Sequence, residues 1–128
     1  MSNVKIAPDV ANDQLDAILA DLDIRPDPDQ REVILRAISA GRLEWDLVDQ
    51  QFMYELIKPV ILDNGKQIDS VTVSEPTAAQ MKKSADAKDE FDQMLRLIGY
   101  CTDQPSGYIE RLKSRDLNVL GALVAFFR

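Results

Sequence analysis

The chain has 128 residues, 45% of them hydrophobic, with 15 Lys and Arg against 22 Asp and Glu, a formal charge of -7 and a pI near 4.5. That is the size and balance of one ordinary globular domain with a single modest core. It excludes nonspecific nucleic-acid binding, which needs clustered Lys and Arg to release counterions, and no apolar run approaches the ~20 residues of a membrane helix. One cysteine, Cys101, excludes an internal disulfide and a cysteine-cluster metal site. No histidine is present, so the commonest general base, zinc ligand and pH switch is missing. Met1 to Lys5 lacks a signal-peptide core, and the expected compartment is a reducing cytoplasm.

Residues 1 to 11 carry no periodic pattern and are expected to form a loose terminus. Leu15, Ile18, Leu19 and Leu22 fall at i, i+3, i+4 and i+7 and predict a short helix capped by Asn12 or Asp13. Asp23 to Pro26 reads as a connector. Asp27-Pro28 is an N-cap followed by proline at the first helical position, and Val33, Ile34, Ala37 and Ile38 form the buried stripe of a second helix stopping at Gly41. Leu43 to Leu47 alternates apolar and polar, a half-buried strand, and Val48 to Gln51 turns into the next one.

Phe52 to Leu62 is rich in aromatic and branched residues, and Pro59 marks its second half as an edge or a bulge because proline cannot donate to a ladder. Asp63-Asn64-Gly65-Lys66 predicts a type I′ hairpin turn, with positive φ at both central residues, Ile61 facing Ile68 and Leu62 facing Gln67. Ile68, Val71 and Val73 break strict alternation, and a bulge near Asp69-Ser70 places all three on one face. Glu75-Pro76 ends the strand, and Thr77 with Gln80 reads as a capping box opening a helix whose stripe is Ala78, Met81 and Ala85. Ser84 to Asp89 breaks that helix. The next holds Phe91, Met94, Leu95 and Ile98 at core spacing and stops at Gly99; Pro105 or Ser106 starts another, with Ile109 and Leu112. Ser114 or Asp116 caps the last helix, with Leu117, Leu120, Leu123, Val124 and Phe127 on one side and Phe126 off it. The fold class is α+β: a small antiparallel sheet of about three strands in meander order, with an Asn-Gly hairpin, covered by N- and C-terminal helices. Residues 1–41 form an N-terminal helical extension and 42–128 the β-meander with its C-terminal helices, within one compact domain.

Asp21, Asp23, Asp27, Asp29 and Glu32 fall at positions 1, 3, 7, 9 and 12 of a calcium loop counted from Asp21. Positions five and six, however, are Arg25 and Pro26, where the loop needs an oxygen ligand and a glycine, so helix caps and a solvated acidic face explain the run. Asp89-Glu90 and the pair Asp46 and Asp49 have no apolar surroundings in sequence that would shift a pKa. Cys101 reads as a small half-buried thiol, Lys82, Lys83 and Lys88 as a mixed helix surface, and the glycine turns show no phosphate-loop pattern. No catalytic residue, metal site or cofactor is expected. Core and partner surface compete over the last helix, where Val119, Leu120, Leu123, Phe126 and Phe127 are the candidate partner-binding ridge for a helix-in-groove contact.

The order of parts from residue 52 onward carries a resemblance. The strand ending Leu56-Ile57-Lys58-Pro59-Val60 leads through Asp63-Asn64-Gly65 to Val71-x-Val73-x-Glu75-Pro76-Thr77. A helix and polar break follow, then Phe91-x-x-Met94-Leu95-x-Leu97-Ile98-Gly99, and Asp116-Leu117 opens a helix closing on Phe126-Phe127. This arrangement resembles the small tail assembly chaperones of long-tailed bacteriophages, encoded between the tail tube and tape measure genes, over residues 52 to 128. The first fifty residues depart from the family's usual short form. The resemblance implies a non-enzymatic protein of the host bacterial cytoplasm. It would keep the tape measure protein soluble, act also on the tail tube protein, promote tube assembly and be absent from the virion. No nucleic acid and no membrane enter this reading, and a homo-oligomer is left open. It further suggests a longer product from ribosomal slippage near the uridine-rich codons of Phe126-Phe127, beside the plain reading that the helix ends at the surface. A rival reading, an acidic phage protein that inhibits a host factor, is weakened by a mild, even charge: residues 1 to 41 carry four basic and eight acidic side chains, or -4, leaving -3 for the rest.

Overall fold

In the computed structural model, which describes residues 5–104 and 106–127, two prolines set the starts of the first two helices. Helix α1 (Pro8–Leu22) begins with Pro8 in its first turn and has no side-chain cap at Ala7, proline there losing only a donor that would be unpaired anyway. The expected cap at Asn12 or Asp13 is therefore five or six residues late. Asn12 lies inside the helix, its Nδ2 3.3 Å from the Pro8 carbonyl and its Oδ1 accepting from Arg31 at 3.1 Å. Within the segment expected to be loose, residues 5–11 are tied down: the Ile6 N–H donates to the Ser39 carbonyl, Ser39 Oγ donates to the Ile6 carbonyl, and Ala11 is fully buried. Helix α2 (Pro28–Ser39) is as expected, with Asp27 accepting from the Gln30 N–H at 2.8 Å, Ile34, Ala37 and Ile38 buried, and Gly41 just past its end at φ 74.

Strands β1 (Leu43–Asp46), β2 (Gln51–Ile61) and β3 (Gln67–Ser74) form an antiparallel meander in the order β1-β2-β3, so the α+β expectation holds. One face carries Leu43, Phe52, Tyr54, Leu56, Val60, Ile68, Val71 and Val73 into the core; the other exposes Glu44, Met53, Ser70 and Thr72. The hairpin register is shifted by one from expectation, Ile61 facing Gln67 and Val60 facing Ile68. Only Gly65 has positive φ, at 82, and Asn64 instead uses its Oδ1 to accept from the Lys66 N–H. The loop is thus three residues long, closed by Leu62 N–H to Lys66 O and Gly65 N–H to Leu62 O, the arrangement that ends in a left-handed glycine.

The sheet irregularity lies opposite Asp69, but its extra residues are on β2. Between the pairs Glu55–Ser70 and Val60–Ile68, residues 56–59 of β2 stand against Asp69 alone. Pro59 sits in this bulge, and Ile57 and Lys58 lose their ladder partners to it. Asp116 takes their place: its Oδ1 accepts from the Ile57 N–H at 2.9 Å and Tyr54 Oη–H at 2.7 Å, and its Oδ2 from the Lys58 N–H at 3.0 Å. Asp116 is fully buried. It therefore does not cap the last helix, as expected; Lys113 occupies that position without a side-chain bond.

Thr77 and Gln80 make both bonds of the expected capping box at the start of α3 (Ala78–Ala85). The expected stripe Ala78, Met81 and Ala85 is exposed, however, and Ser84 is the buried residue of α3, which packs chiefly on the next helix. In α4 (Glu90–Thr102) the buried face is Leu97, Ile98, Cys101 and Thr102, rotated from the expected stripe so that Phe91 is 59% exposed. Gly99 does not stop α4; the helix runs one more turn to Asp103 at φ 53. Helix α5 (Ser106–Glu110) buries Tyr108 and Ile109, and the alternative start at Pro105 lies outside the described residues. Helix α6 (Ser114–Ala125) buries Val119, Leu120, Leu123 and Val124, with Leu117 half-buried. It packs on α2, α4 and the sheet, and Gln30 Nε2 donates to the Ala122 carbonyl at 2.9 Å. Past its end Phe126 joins the core rather than standing off it, 6.0 Å from the Phe52 ring, with Phe127 at 6.2 Å and Trp45 at 4.7 Å.

Hydrogen bonds to a charged group contribute roughly 1.5–3 kcal/mol each, so Asp116→Ala should destabilise the fold by about 3 kcal/mol or more. Tyr54→Phe should cost about 1.5–3 kcal/mol, whereas Tyr108→Phe, which removes a buried hydroxyl with no partner among the described residues, should be neutral or stabilising. Urea midpoints decide this, and equal losses for the two tyrosines would refute the assignment. A Cβ on Gly65 meets nothing within 4 Å, so Gly65→Val should lose only about 1–2 kcal/mol of backbone strain; an unchanged urea midpoint would contradict the left-handed turn.

Candidate functional site

The candidate partner-binding residues of the last helix lie in the core. Val119, Leu120, Leu123 and Phe126 are at most 8% exposed, and Phe127 is half-buried against Phe52. They meet one another and the sheet, and the folded chain presents no ridge made of them. The acidic stretch is spent locally. Asp21 accepts from Trp45 Nε1 and Gln50 Nε2, Asp23 is the left-handed residue ending α1, and Asp27 caps α2. Asp46 holds the β1–β2 turn by accepting from the Val48 and Asp49 N–H groups, and Asp89 caps α4. Among the described residues no group of three or more ligating side chains could hold a metal ion, and no helix is long and apolar enough to cross a membrane.

Among the surface clefts of the described residues is a groove of about 530 Å³ between α3, α4 and α5. The capping box at Thr77 sets the start of α3, the Asp89 cap sets the start of α4, and the extra turn beyond Gly99 carries α4 along the groove to Asp103. Its apolar lining is Leu95, Tyr100 and Ile109; its polar lining is Gln80, Asp92, Arg96, Asp103, Gln104 and Glu110. The returning chain closes on Gly99 through the Gln104 N–H, which donates to its carbonyl at 3.1 Å. Phe91 lies one turn before Leu95 on the same side of α4, and Met81 follows Gln80 in α3, both exposed. The α3 wall is lightly held, with Ser84 buried and Arg96 reaching the Lys83 carbonyl at 3.4 Å. Sequence reading missed this site because Phe91 and Leu95 fall at core spacing; the tell-tale was the weak apolar content of the helix facing them.

Neither the groove nor the core offers an activated nucleophile. Cys101 is buried in α4, and burial pushes its thiol from the ordinary 9.0 up to about 12. Burial also raises Tyr54 and Tyr108, with Asp116 adding to both, in Tyr54 through its hydrogen bond. What the fold and the groove define is a small acidic α+β protein with an open, partly apolar cleft between helices. A family model described as "Phage tail assembly chaperone proteins, E, or 41 or 14" matches residues 53–128, and the chain belongs to that family. No curated protein and no solved structure matches it. Membership makes the chain a phage tail assembly chaperone, which implies binding to phage tail proteins. The match runs from β2 through α6 and so contains both the Asp116 contact and the groove.

All three shifted groups are raised above their unfolded values, so their contribution is fully present below the unfolded pKa and is lost as pH rises through the folded one. Stability should fall progressively between about pH 9 and pH 12, read as a declining denaturant midpoint. In the same range a thiol reagent should label Cys101 only as fast as the chain unfolds; rapid labelling of the native protein would contradict its burial.

Proposed function

We propose that this chain binds the tape measure protein of its phage in the host bacterial cytoplasm, keeps it soluble and promotes assembly of the tail tube around it, and does not remain in the virion. The tail tube protein is a second client on this reading. The observation that supports it is the α3–α4–α5 groove within the family-matched segment, where Leu95, Tyr100 and Ile109 line a cleft and Phe91, one turn before Leu95, is exposed. Apolar surface of this kind, gathered in a cleft between helices, suits a client helix laid in by its apolar face. The chain's charge of -7 favours a soluble complex.

Co-expression should raise the soluble yield of the tape measure protein. Phe91→Asp should cut that yield with little change in this chain's own stability, since Phe91 is 59% exposed. Phe126→Asp is the contrasting control: Phe126 is 4% exposed, so the substitution should lower the yield by unfolding the chaperone itself. Equal soluble yield with and without the chain would overturn the reading.

A further inference from the structure

The charges of the groove are unbalanced in a way that says what its occupant carries. Asp92, Asp103 and Glu110 stand against a single cation, Arg96. Arg96 Nε is 3.3 Å from Asp92 Oδ2, one turn earlier on α4, so that pair is neutralised within the groove. Asp103 and Glu110 are exposed and have no ion-pair partner among the described residues. Both line the groove, Asp103 as the residue that ends α4, and the last turn of α4 holds no basic residue. The carbonyl end of a helix carries partial negative charge, which adds to the two carboxylates rather than offsetting them. By contrast α3 closes on Lys82 and Lys83, neither of which lines the groove. The partly apolar cleft is thus negative from three sources, and its one lining cation, Arg96, is already paired with Asp92.

We infer that the groove takes an amphipathic helix whose apolar stripe is bordered by lysine or arginine, its stripe against Leu95, Tyr100 and Ile109 and its basic side chains meeting Asp103 and Glu110. This rests on the tape measure reading for the source of the helix, and adds the chemistry by which such a segment is chosen. The apolar contact supplies attraction to many helices; the uncompensated carboxylates discriminate, because an acidic border would bring like charges against Asp103 and Glu110. Binding at this site is therefore salt-sensitive, while the contact made by the apolar stripe is not.

The test uses the full chain and two synthetic helices with one apolar stripe, one bordered by lysine and one by glutamate, followed by fluorescence anisotropy at low and high salt. The lysine helix should bind at least about tenfold more tightly at low salt, with the gap narrowing as salt rises. The double variant Asp103→Asn, Glu110→Gln, which keeps a residue tolerant of left-handed backbone at 103, should melt like the parent and lose most of that preference. Glu110→Lys should reduce or reverse it. Equal binding of the two helices, or a preference that survives the double variant, overturns the inference. So does a concentration-dependent dimer abolished by Phe91→Asp, which would make a second copy the occupant. Overlapping peptides of the tape measure protein separate the two readings. Binders without basic borders keep the tape measure as client and sink the charge rule. A lysine helix that binds where no tape measure peptide does keeps the charge rule and sinks the client.

Discussion

A strand that contains proline cannot hold an unbroken ladder, and β2 places Pro59 where pairing to β3 would otherwise continue. The bulge that results leaves the Ile57 and Lys58 N–H groups facing inward, and a buried orphan donor costs about as much as a lost hydrogen bond. Asp116, brought from the first turn of α6, accepts from both and from Tyr54. Much else follows from this single carboxylate. It fixes where α6 crosses the sheet, α6 in turn seats α2 and α4, and α4 carries the groove.

A charged group at this position is costly to desolvate, and the cost is offset only when every lone pair has a partner of good geometry. Here three donors lie between 2.7 and 3.0 Å, and the N-terminal turn of α6 adds the positive end of its dipole. Asparagine has the same outline but would turn an amide N–H toward a backbone N–H. The site therefore demands a carboxylate, which is why a fully buried aspartate survives in an otherwise apolar core.

Reading the residues in order recovered the element types, the meander, the capping box and the proline-started α2, because those signals are local: turn chemistry, periodicity and caps. What it misplaced depends on contacts distant in sequence. The start of α1 rests on Pro8 and a buried Ala11, too small to register in an apolar stripe. The hairpin register turned on whether Asn64 used its backbone or its side chain. Phe91 and Leu97 are interchangeable on spacing alone, and only the neighbours of α4 decide which faces inward. Asp116 looked like a helix cap, since nothing near it reveals two unpaired donors 58 and 59 residues away. The groove was missed for the same reason: three helices build it, and the apolar residues of α4 fall at core spacing.

That separation also sets an order of events in folding. The β2–β3 hairpin closes over a three-residue loop and can form early, and its half nearest the chain's first strand is regular. The other half stays defective until a segment almost sixty residues downstream arrives, and closing so long a span carries an entropic cost that grows with its length. Hairpin and final helix therefore cannot mature independently. Phe126 and Phe127 follow α6 directly and stand 6.0 and 6.2 Å from the Phe52 ring, so the same docking of the last helix that satisfies the two amides also closes the aromatic cluster.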